Sequence, residues 1–163
     1  MSSAYVMNIT PLQSKSLLER LPKPVLRVLV VDDEPSILFA YQKLLTSEGF
    51  TVDACGDLEE ALHFTNSSSY FAVITDIRLS GTGNSDGVIL LRAVRNQQPL
   101  AKTVVVTGYG TSELELTLKD LGTSHYFEKP VKPSLIMEIL KAVTTLPEKI
   151  NAVPNPDLPA VPP

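Results

Sequence analysis

The chain has 163 residues, 44% hydrophobic and 20% charged, which allows one domain with a substantial core. Its formal charge of -4 carries no basic footprint of a direct nucleic-acid binder, and a single cysteine, Cys55, excludes an internal disulfide framework. No apolar run is long enough to span a bilayer, and the N-terminus has no basic region ahead of an apolar one, so a cytoplasmic location without a membrane partner is expected.

Residues 1–24 read as an N-terminal extension. At most two helical turns run through Leu17, Leu18 and Leu21 before Pro22 and Pro24 stop them. Regular alternation follows over 25–146. "VLRVLVV" (25–31) is a near-continuous apolar run, as in a strand covered on both faces. "PSILFAYQKLLTSEG" is a helix with Ile37, Leu38, Tyr41, Leu44 and Leu45 on one face, Pro35 in its first turn and Gly49 just past its end. "FTVDAC" (50–55) is a second strand, in which Cys55 reads as a buried thiol. "DLEEALHFT" has Asp57 as N-cap with Glu60 three residues on. "YFAVIT" (70–75) is a third strand and "DGVILLRAVRN" a third helix. "KTVVVTG" is a fourth strand, rich in β-branched residues. "TSELELTLKDLG" is a fourth helix ending at Gly122, with Leu114, Leu118 and Leu121 as its core stripe and Leu116 off it. "SHYFEKP" is a short fifth strand, and the last helix, "KPSLIMEILKAV", is expected to face inward through Leu135, Ile139, Leu140 and Val143. The tail, 147–163, holds six prolines in seventeen residues and reads as extended chain or linker.

Five strand–helix units with short connections imply an α/β fold, a doubly wound three-layer sandwich around a parallel five-stranded sheet. Ligands of such folds bind at the carboxyl ends of the strands, near the point where the winding reverses. With strand order 2-1-3-4-5, strands one and three are neighbours there. The strand ends carry Asp32, Asp33 and Glu34; then Asp76; then Thr107; then Lys129, followed by Pro130. Converging carboxylates repel one another unless a cation joins them. Oxygen-only ligands with room for water favour Mg²⁺. A carboxylate surrounded by a metal, an amine and a hydroxyl suits phosphoryl transfer, with the carboxylate as acceptor.

"VLVVDDEPSI", "VITDIRL", "VVVTGYG" and "YFEKPVKPSLI", at the right strand ends and in the right order, resemble the receiver domain of two-component response regulators. The resemblance implies that Asp76 accepts a phosphoryl group from a histidine kinase or a histidine phosphotransfer protein. It implies Mg²⁺ held by Asp33 directly, by Asp32 through water, by Asp76 and by the backbone carbonyl of Arg78. Thr107 and Lys129 would grip the phosphoryl oxygens, across a cis Lys129–Pro130 bond. Tyr126 would be the aromatic switch that turns inward when Thr107 moves. The fourth helix, fifth strand and fifth helix would form the face for a second copy or an output partner, with Leu116 a candidate on it. Arg78 and Tyr109 would tune the lifetime of the phosphoaspartate, and a bulky Tyr109 would prolong it. The protein would be a switch that assists its own phosphorylation rather than a turnover enzyme.

The loop after Asp76 departs from the family. Ser80 stands where receivers generally carry proline, Gly87 comes later than usual, and Gly81 and Gly83 lie between. This loop is expected to alter access to the phosphoryl group or contact with the kinase. The glycines also approach a dinucleotide fingerprint, but such a fingerprint follows the first strand, and here that strand runs into acidic "DDEP". No P-loop sequence occurs. A haloacid dehalogenase-type phosphatase would need a second acid where Arg78 stands. A degenerate receiver that signals without phosphate is the remaining alternative. His63 and His125 lack ligand-like spacing and are assigned structural roles.

Overall fold

A computed structural model describes residues 26–79 and 85–145. The proposed turns at 17–21, the loop residues Ser80, Gly81 and Gly83, and the tail at 147–163 lie outside the described residues. Five parallel strands, β1 (Arg27–Val31), β2 (Thr51–Cys55), β3 (Ala72–Thr75), β4 (Lys102–Thr107) and β5 (His125–Glu128), form one sheet in the order β2-β1-β3-β4-β5. Five helices alternate with them: α1 (Pro35–Ser47), α2 (Leu58–Ser67), α3 (Asp86–Gln97), α4 (Ser112–Asp120) and α5 (Pro133–Thr145).

Alternation along the strands builds two cores. Val28, Val30, Ala72, Ile74, Val104 and Val106 face Tyr41 and Leu45 of α1 and Ile136 and Leu140 of α5. Leu29, Val31 and Val73 point the other way, onto Ala61 of α2 and Leu90 and Val94 of α3. A third cluster, Ile77, Leu91, Val105 and Leu118, ties α3 and α4 to β4. Because successive side chains of a strand alternate faces, a strand covered on both sides is apolar at most positions. That is why β1, β3 and β4 lack an exposed polar stripe, with Thr75, Thr103 and Thr107 as their buried polar residues.

The helix ends follow the local chemistry expected of them. Pro35 opens α1, and the side chain of Asp57 accepts a bond from the Glu60 amide at 2.8 Å. Thr111 caps α4 in the same way, accepting from the Leu114 amide at 3.1 Å. Gly49 and Gly122 sit just past α1 and α4 with φ of 90° and 69°, a conformation that glycine adopts at little steric cost.

One helix face differs from expectation. In α5 the inward residues are Ile136 and Leu140, both fully buried, with Ile139 and Val143 half-buried; Leu135 is 42% exposed. The stripe therefore starts one residue later. Each helical step rotates the side chain by about 100°, which turns Leu135 out once Ile136 points at the sheet.

Candidate functional site

The carboxyl ends of β1, β3, β4 and β5 deliver the expected polar groups to one edge of the sheet. Asp76 follows β3, and its backbone is held from three sides. Its amide donates to the Val31 carbonyl at 3.0 Å, and its carbonyl accepts from the Thr75 hydroxyl at 2.7 Å. Gly87 packs directly on the same peptide. A Cβ there would lie 2.3 Å from the Asp76 carbonyl oxygen and 2.7 Å from the Ile77 Cα. The late glycine of the sequence is thus the residue that lets the start of α3 close onto the Asp76 backbone.

Lys129 lies just beyond β5, after a strand that ends at Glu128, and its peptide bond to Pro130 is cis. Its amide donates to the Thr107 carbonyl at 2.8 Å. Its ammonium donates to Asp32 Oδ2 at 2.9 Å and lies 2.9 Å from Asp76 Oδ2 and 3.5 Å from Glu34 Oε1. Burial alone would lower the lysine pKa, but its bonds to Asp32 and Asp76 outweigh that and raise it. Burial also pushes the Asp32 carboxyl upward, against the opposing pull of Lys129 and of the Glu34 amide, which bonds Asp32 Oδ1 at 2.9 Å. Asp76 Oδ1 accepts from the Arg78 amide at 3.1 Å. Thr107 is fully buried, and its hydroxyl accepts from the Tyr109 amide at 3.3 Å. Asp33 is half-buried beside Asp32 and makes no ion pair among the described residues.

Among the described residues no three acidic, histidine or cysteine side chains are grouped as a metal cluster. Asp32 and Asp76 converge as expected, with Lys129 between them at 2.9 Å from each carboxylate. The donor chemistry nevertheless suits a hard divalent ion. Lys129 brings one positive charge to Asp32, Asp76 and Glu34, with Asp33 adjacent, and every acidic ligand atom is oxygen.

The residues expected to switch and tune, Tyr126, Arg78 and Tyr109, lie around the loop between β4 and α4. The Tyr126 ring packs half-buried against the Leu118 and Val105 cluster, and its hydroxyl donates to Glu128 Oε1 at 3.3 Å. Its pKa is raised, first by burial and then by Glu128. Gly110 lies against this pair, since a Cβ there would fall 2.6 Å from the Tyr126 hydroxyl. Tyr109 is 56% exposed, and the Arg78 guanidinium carbon stands 3.5 Å over its ring centroid. Sequence reading named Arg78 and Tyr109 as a pair flanking the site but did not foresee that they touch. It also missed Glu34 as a Lys129 partner and Gly110 as the seat of Tyr126; the glycines flanking Tyr109 were the available signal.

The model of the response regulator receiver domain matches residues 28–141. The chain belongs to the response regulator receiver family. The receiver is 33% identical over 116 residues to an NtrX-like response regulator of Rickettsia felis, covering 71% of this chain and 24% of that protein. It is 30% identical to the transcriptional regulatory protein TcrA of Mycobacterium tuberculosis, covering 72% and 46%. This chain therefore spans less than half the length of these curated relatives. Among solved structures, the CheY-like receiver domain of Methanospirillum hungatei is similar at a TM-score of 0.68 and 28% identity, covering 74% of this chain and 94% of that one. The beryllofluoride-activated NtrC4 receiver domain dimer is similar at 0.63 and 27%, covering 71% and 93%. The family match does not favour the dehalogenase-type reading. No helix among the described residues is long and apolar enough to cross a membrane.

Proposed function

We propose that this receiver takes its phosphoryl group on Asp76, from a phosphohistidine of a histidine kinase or phosphotransfer protein. The observation that carries this is the Lys129 ammonium 2.9 Å from the Asp76 carboxylate, on a sheet edge that also presents Thr107. An Asp76 oxygen attacks phosphorus, the P–N bond breaks with its electron pair going to the ring nitrogen, and the imidazole, already protonated on its other nitrogen, leaves as the neutral ring. Lys129 holds the carboxylate in place and neutralises charge on the transferred group; the Thr107 hydroxyl bonds one of its oxygens. Bound Mg²⁺ would neutralise the remaining charge, held by Asp33, Asp32, Asp76 and the Arg78 carbonyl.

Movement of Thr107 toward the phosphoryl group empties space beside β4 for Tyr126, which gives up its bond to Glu128 and turns inward. The output face then lies on α4, β5 and α5, where Leu116 is 64% and Leu135 42% exposed. Homodimerisation through that face is the favoured output, and the similarity to the NtrC4 receiver dimer supports it. A cytoplasmic location suits a kinase-fed switch.

Incubation with acetyl phosphate and Mg²⁺, followed by intact mass measurement, tests this reading. The wild type gains one phosphoryl group and Asp76→Asn gains none. A wild type that gains nothing favours a receiver that signals without phosphate.

A further inference from the structure

Five contacts link Asp76 to the β4–α4 loop in a closed chain. The Arg78 amide bonds the Asp76 carboxylate at 3.1 Å, and the Arg78 guanidinium covers the Tyr109 ring at 3.5 Å. The Tyr109 amide bonds the Thr107 hydroxyl at 3.3 Å. The Thr107 carbonyl accepts from the amide of Lys129, whose ammonium returns to Asp76. The cation of Arg78 thus rests on an aromatic face, two residues from the carboxylate that would become an acyl phosphate, and its amide already bonds that carboxylate.

We propose that Arg78 is a parked cation, held on Tyr109 in the unphosphorylated protein and transferred to the phosphoryl oxygens when Asp76 is modified. The proposal rests on the reading of Asp76 as acceptor. A cation on an aromatic ring at the surface is held weakly, whereas guanidinium with a phosphoryl dianion forms short, paired, charge-assisted bonds. The phosphoryl group therefore wins the guanidinium. Its loss frees the Tyr109 ring and removes one of the two contacts that tie Tyr109, just as Thr107 is called away. Tyr109 then acts in the free state as a competitor of the phosphoryl group for Arg78. Arg78 becomes a phosphoryl-binding residue rather than a bystander that sets access.

The test uses beryllofluoride with Mg²⁺ as phosphoryl mimic on the full chain. In wild type, the Arg78 side-chain protons show an upfield ring-current shift by NMR, which is lost in Tyr109→Leu and also lost when beryllofluoride binds. Arg78→Met weakens beryllofluoride binding about ten-fold. Tyr109→Leu tightens it about two- to five-fold by removing the competitor, and has no such effect in the Arg78→Met background. Persistence of the ring-current shift in the beryllofluoride complex overturns the proposal, and so does an equal Tyr109→Leu effect with and without Arg78. A wild type that shows the shift when free but binds no beryllofluoride, and gains no phosphoryl group, refutes the reading of Asp76 itself and takes this inference with it.

Discussion

Single atoms decide the behaviour of two residues that look ordinary in the sequence. Gly87 has no room for a methyl group, because its neighbours at 2.3 and 2.7 Å are backbone atoms of Asp76 and Ile77. Gly87→Ala must push the Asp76 peptide away, so it should lose about 1–3 kcal/mol in chemical denaturation and, with Asp76 as the proposed acceptor, slow phosphorylation as well. Unaltered phosphorylation in a destabilised variant would show that the Asp76 peptide does not shift. Cys55 is 2% exposed, and burial pushes its thiol up to about 12. The folded value lies above the ordinary one, so the thiol's contribution to stability is complete at neutral pH and is lost as pH rises toward about 12. Maleimide at pH 7 should leave Cys55 unmodified in the folded protein and label it fully in denaturant; rapid native labelling would contradict its burial. The sequence already marked Cys55 as buried, since it sits in an apolar strand. It marked Gly87 only as late, because close approach of two backbones is a tertiary fact that leaves no pattern in the chain.

Helices and strands were legible where one face is apolar and the ends carry caps. Asp57, Thr111, Gly49 and Gly122 each stand where their backbone chemistry requires. Thr111→Ala should remove the cap of α4 and lower stability by about 1 kcal/mol in urea denaturation. The sheet-facing side of α5 was misread by one position because its opening, "SLIMEIL", offers leucine and isoleucine on adjacent sides, and only the sheet decides between them. Ile136→Ala should destabilise by about 2–5 kcal/mol, and Leu135→Ala by about 0.5 kcal/mol or less. The reverse ranking in denaturation midpoints would restore the original face. Leu135→Ala should instead affect assembly of the phosphorylated protein, since α5 belongs to the proposed output face.

Across the whole molecule, topology turns scattered residues into a site. Asp32, Asp76, Thr107 and Lys129 are far apart in sequence, and the order β2-β1-β3-β4-β5 brings their strand ends to one edge. Strand periodicity and right-handed crossovers made that convergence readable in advance. The ionic details were not, because several acids and one lysine can pair in more than one way. The structure has Lys129 between Asp32 and Asp76, with Glu34 as a third partner. Removing the ammonium with Lys129→Met should leave two buried carboxylates uncompensated and lower the phosphorylation rate by at least about ten-fold, read by intact mass over time. The central claim, that Asp76 is the acceptor, is tested most directly by locating the phosphoryl group. After reaction with acetyl phosphate and Mg²⁺, borohydride converts an aspartyl phosphate to homoserine, and fragment mass spectrometry finds its position. Homoserine at position 76 alone is the predicted result; homoserine at 32 or 33, or at no position in a protein that has gained a phosphoryl group, would contradict it.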